Sequence, residues 1–146
     1  MQTLIVYDSA GGNTEQIARA IGSAIGGDVT VVRASDANAA ELGTIDLLII
    51  GSPTQGGRPT AAVQNFLKQI PENALHHKNV AAFDTRLQSQ TFRMFGYAAK
   101  RIADALKQKG GNLIVPPEGF YVEKPEGPLR DGEIERANSW AKMMVQ

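Results

Sequence analysis

At 146 residues, 42% apolar and 21% charged, the chain has the size and composition of a single globular domain spanning 1–146. Lys and Arg total 15 and Asp and Glu total 15, so net charge points to neither nucleic acid nor a strongly acidic docking surface. Cysteine is absent, which excludes disulfides, thiolate nucleophiles and cysteine-held iron–sulfur clusters, and a redox role then requires a bound cofactor.

The apolar run Leu4-Ile5-Val6 suits a central strand buried on both faces. After it comes Asp8-Ser9-Ala10-Gly11-Gly12-Asn13-Thr14, a turn of glycines and hydroxyls that feeds a helix. Ile17, Ala18, Ile21 and Ile25 recur at helical spacing, Glu15 and Arg19 form an i,i+4 pair, and Gly26-Gly27 ends the helix. Residues 29–33 read as a second strand whose polar Thr30 suits an edge. A short helical or irregular connection over 36–42 leads to the strand 45–50, with Asp46 near its start. Pro59 is expected to open the next helix, with Val63, Phe66, Leu67 and Ile70 inward.

Val80-Ala81-Ala82-Phe83 is the fourth strand, and a long turn follows from Asp84. Ala98, Ala99, Ile102, Ala103 and Leu106 share one helical face before Gly110-Gly111. Leu113-Ile114-Val115 is a fifth strand, read as stopped by Pro116-Pro117. After a Gly/Pro-rich crossover, Asp131 is expected to cap a last helix with Ile134, Ala137, Trp140, Ala141 and Met144 inward. Five strands alternating with helices indicate an α/β layer structure with a parallel sheet. A charged-then-apolar leader and an apolar stretch of bilayer length are both missing from the sequence, so the expectation is a cytoplasmic protein with no membrane contact.

Chemistry concentrates where strands end. The glycines of Ser9-Ala10-Gly11-Gly12-Asn13-Thr14 let successive N–H groups converge, Ser9 and Thr14 add hydroxyls, and the helix adds its positive end, which together make a phosphate cradle. Gly51-Ser52-Pro53-Thr54-Gln55-Gly56-Gly57-Arg58-Pro59 is a second loop that can bring backbone against a planar ligand, and Asp84 begins a third. In an open parallel sheet, ligands bind at such an edge.

These three segments resemble the flavodoxin family in its short form, over nearly the whole chain. The family pattern after the first strand is T/S-x-T/S-G-x-T, and the second and third loops match Gly51–Pro59 and Asp84-Thr85-Arg86 in order. The resemblance implies a flavodoxin-like, doubly wound, five-stranded parallel sheet of order 2-1-3-4-5 and flavin mononucleotide (FMN) as cofactor. Carried over, Ser9, Gly12, Asn13 and Thr14 hold the phosphate, with backbone N–H groups of Ala10 and Gly11. Ser52, Pro53, Thr54, Gln55 and Gly56 line the ribityl chain and one side of the ring, and Asp84, Thr85, Arg86 and Leu87 frame the other. Two departures stand out: Gly11 replaces a hydroxyl residue, and Gln55 stands where many relatives carry a stacking aromatic. If Gly11 has ordinary backbone angles, threonine there is expected to tighten phosphate binding.

The implied function is electron transfer between redox proteins. A small flavin-dependent quinone reductase and a non-redox binding protein with a weakened flavin site remain as alternatives, and the oligomeric state stays open. His76-His77 reads as a solvent-exposed pair, Trp140 as core, and Lys100, Arg101, Lys107 and Lys109 as a solvated helix face able to contact an acidic partner. Phe92, Met94, Phe95 and Tyr97 form an aromatic cluster that either anchors a helix or closes over the flavin. Arg86 either pairs with Asp84 or biases the cofactor electrostatically.

Overall fold

The computed structural model describes residues 1–88 and 96–145. Strands β1 (Gln2–Tyr7), β2 (Asp28–Arg33), β3 (Leu47–Pro53), β4 (Asn79–Leu87), β5 (Asn112–Leu113) and β6 (Glu118–Val122) form one sheet, with helices α1 (Asn13–Ile25), α2 (Ala61–Gln69), α3 (Ala98–Gln108) and α4 (Glu133–Met144) between and after them. The order is β2-β1-β3-β4-β5, with β6 also pairing to β4, and every strand pair is parallel. This is the doubly wound arrangement that the alternation of elements implies.

The apolar runs are continuous because alternate residues serve opposite faces. Val6, Leu48, Ile50, Val80 and Ala82 meet Val63, Phe66, Ile102 and Leu106 of α2 and α3. Ile5, Leu47, Ile49, Ala81 and Phe83 meet Ile17, Ile21, Ala137 and Trp140 of α1 and α4. Phe83, Phe120 and Trp140 pack edge to face with ring centroids 6.1 Å apart. Each such pair adds about 0.5–1.5 kcal/mol beyond its buried area. Asp46 precedes β3 and accepts the Gln2 N–H at 2.7 Å, which satisfies its carboxylate at the strand's entrance.

Three expectations are corrected. The fifth strand ends at Leu113, short of Val115, and a sixth strand follows Pro116-Pro117. The prolines interrupt the ladder after Leu113, and the chain then returns to β4 as β6, with Phe83 opposite Glu118 and Leu87 opposite Val122. Prolines are tolerated because this position is the edge of the sheet. The cap of α4 is Gly132 at φ 88°, not Asp131. On α2 the cap is Thr60, whose hydroxyl accepts the Val63 N–H, and Pro59 lies just outside the helix. Of the aromatic cluster only Tyr97 falls within the described residues; Phe92, Met94 and Phe95 lie outside them.

Candidate functional site

Parallel strands deliver their carboxyl ends to one edge, and there β1, β3, β4 and β6 each pass into a loop. The loops surround a cleft of about 400 Å³ lined by Ala10, by Pro53 through Gly57, by Thr85, Arg86, Leu87 and Tyr97, and by Val122, Pro125 and Glu126.

At one end of the cleft, the turn between β1 and α1 is held in several ways. Ser9 N–H donates to Asp8 Oδ1 at 2.9 Å, and Gly12 N–H donates to Ser9 Oγ at 2.9 Å, so the Ser9 hydroxyl proton is free to point outward. Arg33, at the end of β2, donates from Nη1 to Asp8 Oδ1 at 3.3 Å and to the Ser9 carbonyl at 3.0 Å. Its guanidinium also lies 5.2 Å from the Tyr7 ring centroid and 3.8 Å from Glu15 Oε1. Gly12 caps α1 at φ 93° with no side-chain cap. Among the described residues, the N–H groups of Ala10, Gly11, Asn13 and Thr14 have no protein acceptor. Converging N–H groups at a helix's positive end, beside an arginine, form a donor set that fits a phosphate dianion.

Thr14 is buried, and its hydroxyl bonds that of Thr85 at 2.8 Å, linking the first loop to the third. Asn13 packs against Gly127, and the Glu126 carbonyl overhangs Gly11. Gly11 is outside the left-handed region, yet a Cβ there would lie 3.2 Å from Glu126 O. The missing hydroxyl therefore has a physical counterpart: a side chain at Gly11 would push on the backbone of the crossover loop, so a threonine meets an obstacle that its backbone angles alone do not reveal.

The opposite wall begins with a tight turn. Gln55 and Arg58 exchange backbone bonds, with Gln55 N–H to Arg58 O at 2.9 Å and Arg58 N–H to Gln55 O at 3.1 Å. Gly56 and Gly57 sit between them at φ 57° and 80°. Two successive left-handed residues make a type I′ turn, which the Gly-Gly pair permits without strain. Gln55 and Gly56 are exposed at its tip. Behind the turn, Thr54 N–H donates to Thr85 O at 2.9 Å and Thr54 Oγ1 accepts Ala98 N–H at 3.0 Å, bracing the second loop on the third and on α3.

Ser52 and Asp84 are not on the cleft wall. Ser52 is fully buried, accepting Thr60 N–H at 3.0 Å and donating to Pro53 O at 2.9 Å. Asp84 is also fully buried; it accepts Arg86 Nε at 2.7 Å, Arg86 Nη2 at 2.8 Å and Ala99 N–H at 2.9 Å. Arg86 forms the ion pair and also lies 3.5 Å above the Tyr97 ring centroid. One carboxylate thus fixes both the start of α3 and an arginine on the cleft wall.

The sequence reading missed Arg33, Val122, Pro125 and Glu126. The last three follow from ending the fifth strand at Pro116-Pro117, since a strand continuing through Val122 sends its next residues to the ligand edge. Arg33 carries no motif; it reaches the turn because parallel pairing sets it opposite Tyr7.

A doubly wound sheet with an anion-binding turn and two further loops at its carboxyl edge defines an α/β protein with a ligand cleft at its topological switch point. The flavodoxin family model matches residues 5–140. Flavodoxin 1 of Escherichia coli K12 is 29% identical, the alignment covering 99% of this chain and 93% of that one. The flavodoxin of Klebsiella pneumoniae is 26% identical over 97% of this chain and 92% of its own length. Oxidised flavodoxin 2 from Bacillus cereus superposes with a TM-score of 0.84 at 23% identity, covering 99% of this chain and 98% of that one. The chain belongs to the flavodoxin family. It is an FMN-binding electron-transfer protein, and the reductase and non-redox readings are not favoured. The family implies redox proteins as partners, and no helix among the described residues is long and apolar enough to cross a membrane.

Proposed function

We propose that this chain is a one-domain cytoplasmic carrier that holds FMN in the cleft at the sheet's carboxyl edge. The phosphate is bound by the N–H groups of Ala10, Gly11, Asn13 and Thr14 and by the hydroxyls of Ser9 and Thr14, with Arg33 bracing the turn through Asp8 and the Ser9 carbonyl. Pro53, Thr54, Gln55 and Gly56 cover one side of the ribityl chain and ring, and Thr85, Arg86, Leu87 and Tyr97 cover the other. Ser52 and Asp84 act from behind, holding Pro53 and Arg86. Bound FMN supplies one- and two-electron chemistry, while the protein supplies position, charge and exclusion of water.

The observation that carries this reading is the unpartnered set of N–H groups at the start of α1, opening beside Ala10 onto the cleft. Isothermal titration with FMN and riboflavin tests it. FMN is expected to bind at least tenfold tighter, since hydrogen bonds to a charged group are worth about 1.5–3 kcal/mol. Equal affinities for the two ligands would remove the phosphate from the turn. Turnover of a quinone to its quinol with NADH or NADPH as the electron donor tests the reductase alternative; a carrier shows no saturable NAD(P)H oxidation.

A further inference from the structure

The balanced total charge conceals a strong separation. Residues 58–110 contain nine Lys and Arg against three Asp and Glu, while the remainder contains six against twelve. The first segment supplies α2 and α3, which cover one face of the sheet, and the second supplies α1 and α4, which cover the other. On the helices themselves the excess is one-sided: α2 and α3 carry four Lys and Arg against one Asp, whereas α1 and α4 carry three against three.

A groove of about 250 Å³ runs between α2 and α3. Pro59, Leu67 and Ala105 give it an apolar floor, Gln64 adds an amide, and Arg58, Lys68 and Arg101 stand around it. All three cations are exposed, and none is in a salt bridge among the described residues. Asp104, the carboxylate on the same helix as Arg101, is engaged by Lys100 at 2.8 Å and Lys107 at 3.8 Å. The Lys100 ammonium, outweighing a small desolvation effect, holds its carboxyl below the usual range.

The groove adjoins the cofactor cleft. Arg58 is the residue opposite Gln55 in the turn, and Arg101 Nε donates to the Gly57 carbonyl at 2.9 Å. Gln55 and Gly57 line the cleft on the other side of that turn. Arg58 and Arg101 are thus built onto the turn that forms this wall, so their charge acts on whatever approaches the cleft there.

We propose that the Arg58, Lys68 and Arg101 groove is the docking surface for an acidic redox protein, whose surface carboxylates seat on the three cations and bring its redox centre to the second loop. This rests on the electron-transfer function above and adds the partner's chemistry to it. A cationic rim around a small apolar floor attracts an acidic surface at long range and lets it dehydrate at contact, which speeds encounter and sets orientation.

The test uses FMN-loaded protein and four probes. Reduced protein is mixed by stopped flow with ferricyanide, an anionic acceptor, and with hexaamminecobalt(III), a cationic one, from 10 to 500 mM NaCl. Steering by the groove predicts that the ferricyanide rate falls about tenfold with salt while the cobalt rate does not fall. Arg58→Glu combined with Lys68→Glu is expected to lower the low-salt ferricyanide rate about tenfold, and Glu135→Lys on α4 to change it less than twofold. Separately, poly-L-glutamate is titrated into 15N-labelled protein, and amide shifts are expected at Arg58, Lys68, Arg101 and Ala105. Shifts centred on α1 and α4, a ferricyanide rate that rises with salt, or capture of the groove by a duplex DNA 20-mer at lower concentration than polyglutamate would each overturn the proposal. Failure of the protein to pass electrons to either acceptor would instead defeat the electron-transfer reading, and the polyglutamate map would still decide where an acidic surface docks.

Discussion

The two ends of the cleft are built on opposite plans. At the phosphate end, Ser9, Gly12, Asp8 and Arg33 bond to one another, Thr14 is locked to Thr85, and the Glu126 carbonyl lies over Gly11. At the other end, an exposed two-glycine turn carries Gln55 outward, and rigidity comes from behind it, through Asp84, Arg86 and Thr54. The first end meets its ligand with donors already aimed, so little ordering entropy is lost when an anion binds. The second presents backbone and a polar amide, an arrangement that leaves a planar group accessible to a partner. Affinity is thus concentrated at one end and exposure at the other.

The most severe way to break that contrast is to remove the support behind the open end. Asp84→Ala leaves the Arg86 guanidinium and the Ala99 N–H without their carboxylate in a buried setting, and is expected to cost about 3–5 kcal/mol of stability in urea unfolding. Asp84→Asn keeps one acceptor and is expected to lose less. FMN affinity measured on whatever fraction of Asp84→Asn is folded should drop modestly, because the phosphate end is untouched. A loss of phosphate discrimination in that variant would show that the two ends are not independent.

At the donor-rich end, Thr14→Val removes a hydroxyl that serves both Thr85 and the proposed phosphate. The expected loss in FMN affinity is about 1.5–3 kcal/mol, while riboflavin affinity changes far less. Calorimetric titration of both ligands checks this. If they weaken equally, Thr14 acts through Thr85 and the third loop, and the contrast between the ends must be redrawn.

Much of this division is legible in the sequence. The alternating apolar runs at Ile5, Val6, Ile49 and Ile50 place β1 and β3 at the centre, since only strands covered on both faces tolerate such continuity. Helical stripes such as Ala99, Ile102, Ala103 and Leu106 fix which faces turn inward. The glycine-hydroxyl turn announces the phosphate end because its chemistry is local. Legibility fails where a feature depends on distant pairing. Pro116-Pro117 reads as a stop, yet β6 resumes along β4 because an edge strand can lose donors and still pair. Asp84 reads as a ligand contact until its burial beneath Arg86 is seen, and Arg33 joins the site only through its register with Tyr7. The excess of cations on α2 and α3 disappears in a total of zero.

A smaller effect probes the overhang above the phosphate turn. Glu133 at the start of α4 is buried and accepts Tyr121 N–H at 2.7 Å and Arg136 Nη2 at 2.7 Å, which anchors β6 just ahead of the crossover loop. Burial opposes its ionisation, but the Arg136 guanidinium and the Tyr121 N–H prevail and hold its carboxyl below the usual range. A depressed carboxyl stabilises the folded protein above the unfolded value, about pH 4.3, and that contribution fades as pH falls toward the folded value. Glu133→Gln is therefore expected to lose about 1–2 kcal/mol near pH 7 and to narrow its gap to the parent below pH 4. A constant gap across that range would mean that packing, not charge, carries the contribution of Glu133.

The mildest change sharpens the open end itself. Gln55 lines the cleft at the tip of its turn, and its amide offers hydrogen bonds but no broad apolar face. Gln55→Tyr is expected to raise FMN affinity by about 0.5–1.5 kcal/mol, or roughly two- to tenfold, and to quench bound-flavin fluorescence further. The FMN-to-riboflavin affinity ratio should stay within about twofold of the parent, because the phosphate donors are unchanged. Tyr97 supplies the complication: it already lines the same cleft, with Arg86 stacked on its ring. If Tyr97 covers the ring alone, Gln55→Tyr leaves affinity and fluorescence as they are, while Tyr97→Leu weakens binding and brightens emission. If both sides are used, the two substitutions act in opposite directions and their effects add. Measuring the pair as a double-mutant cycle decides whether the open end lacks an aromatic or holds it on the third loop.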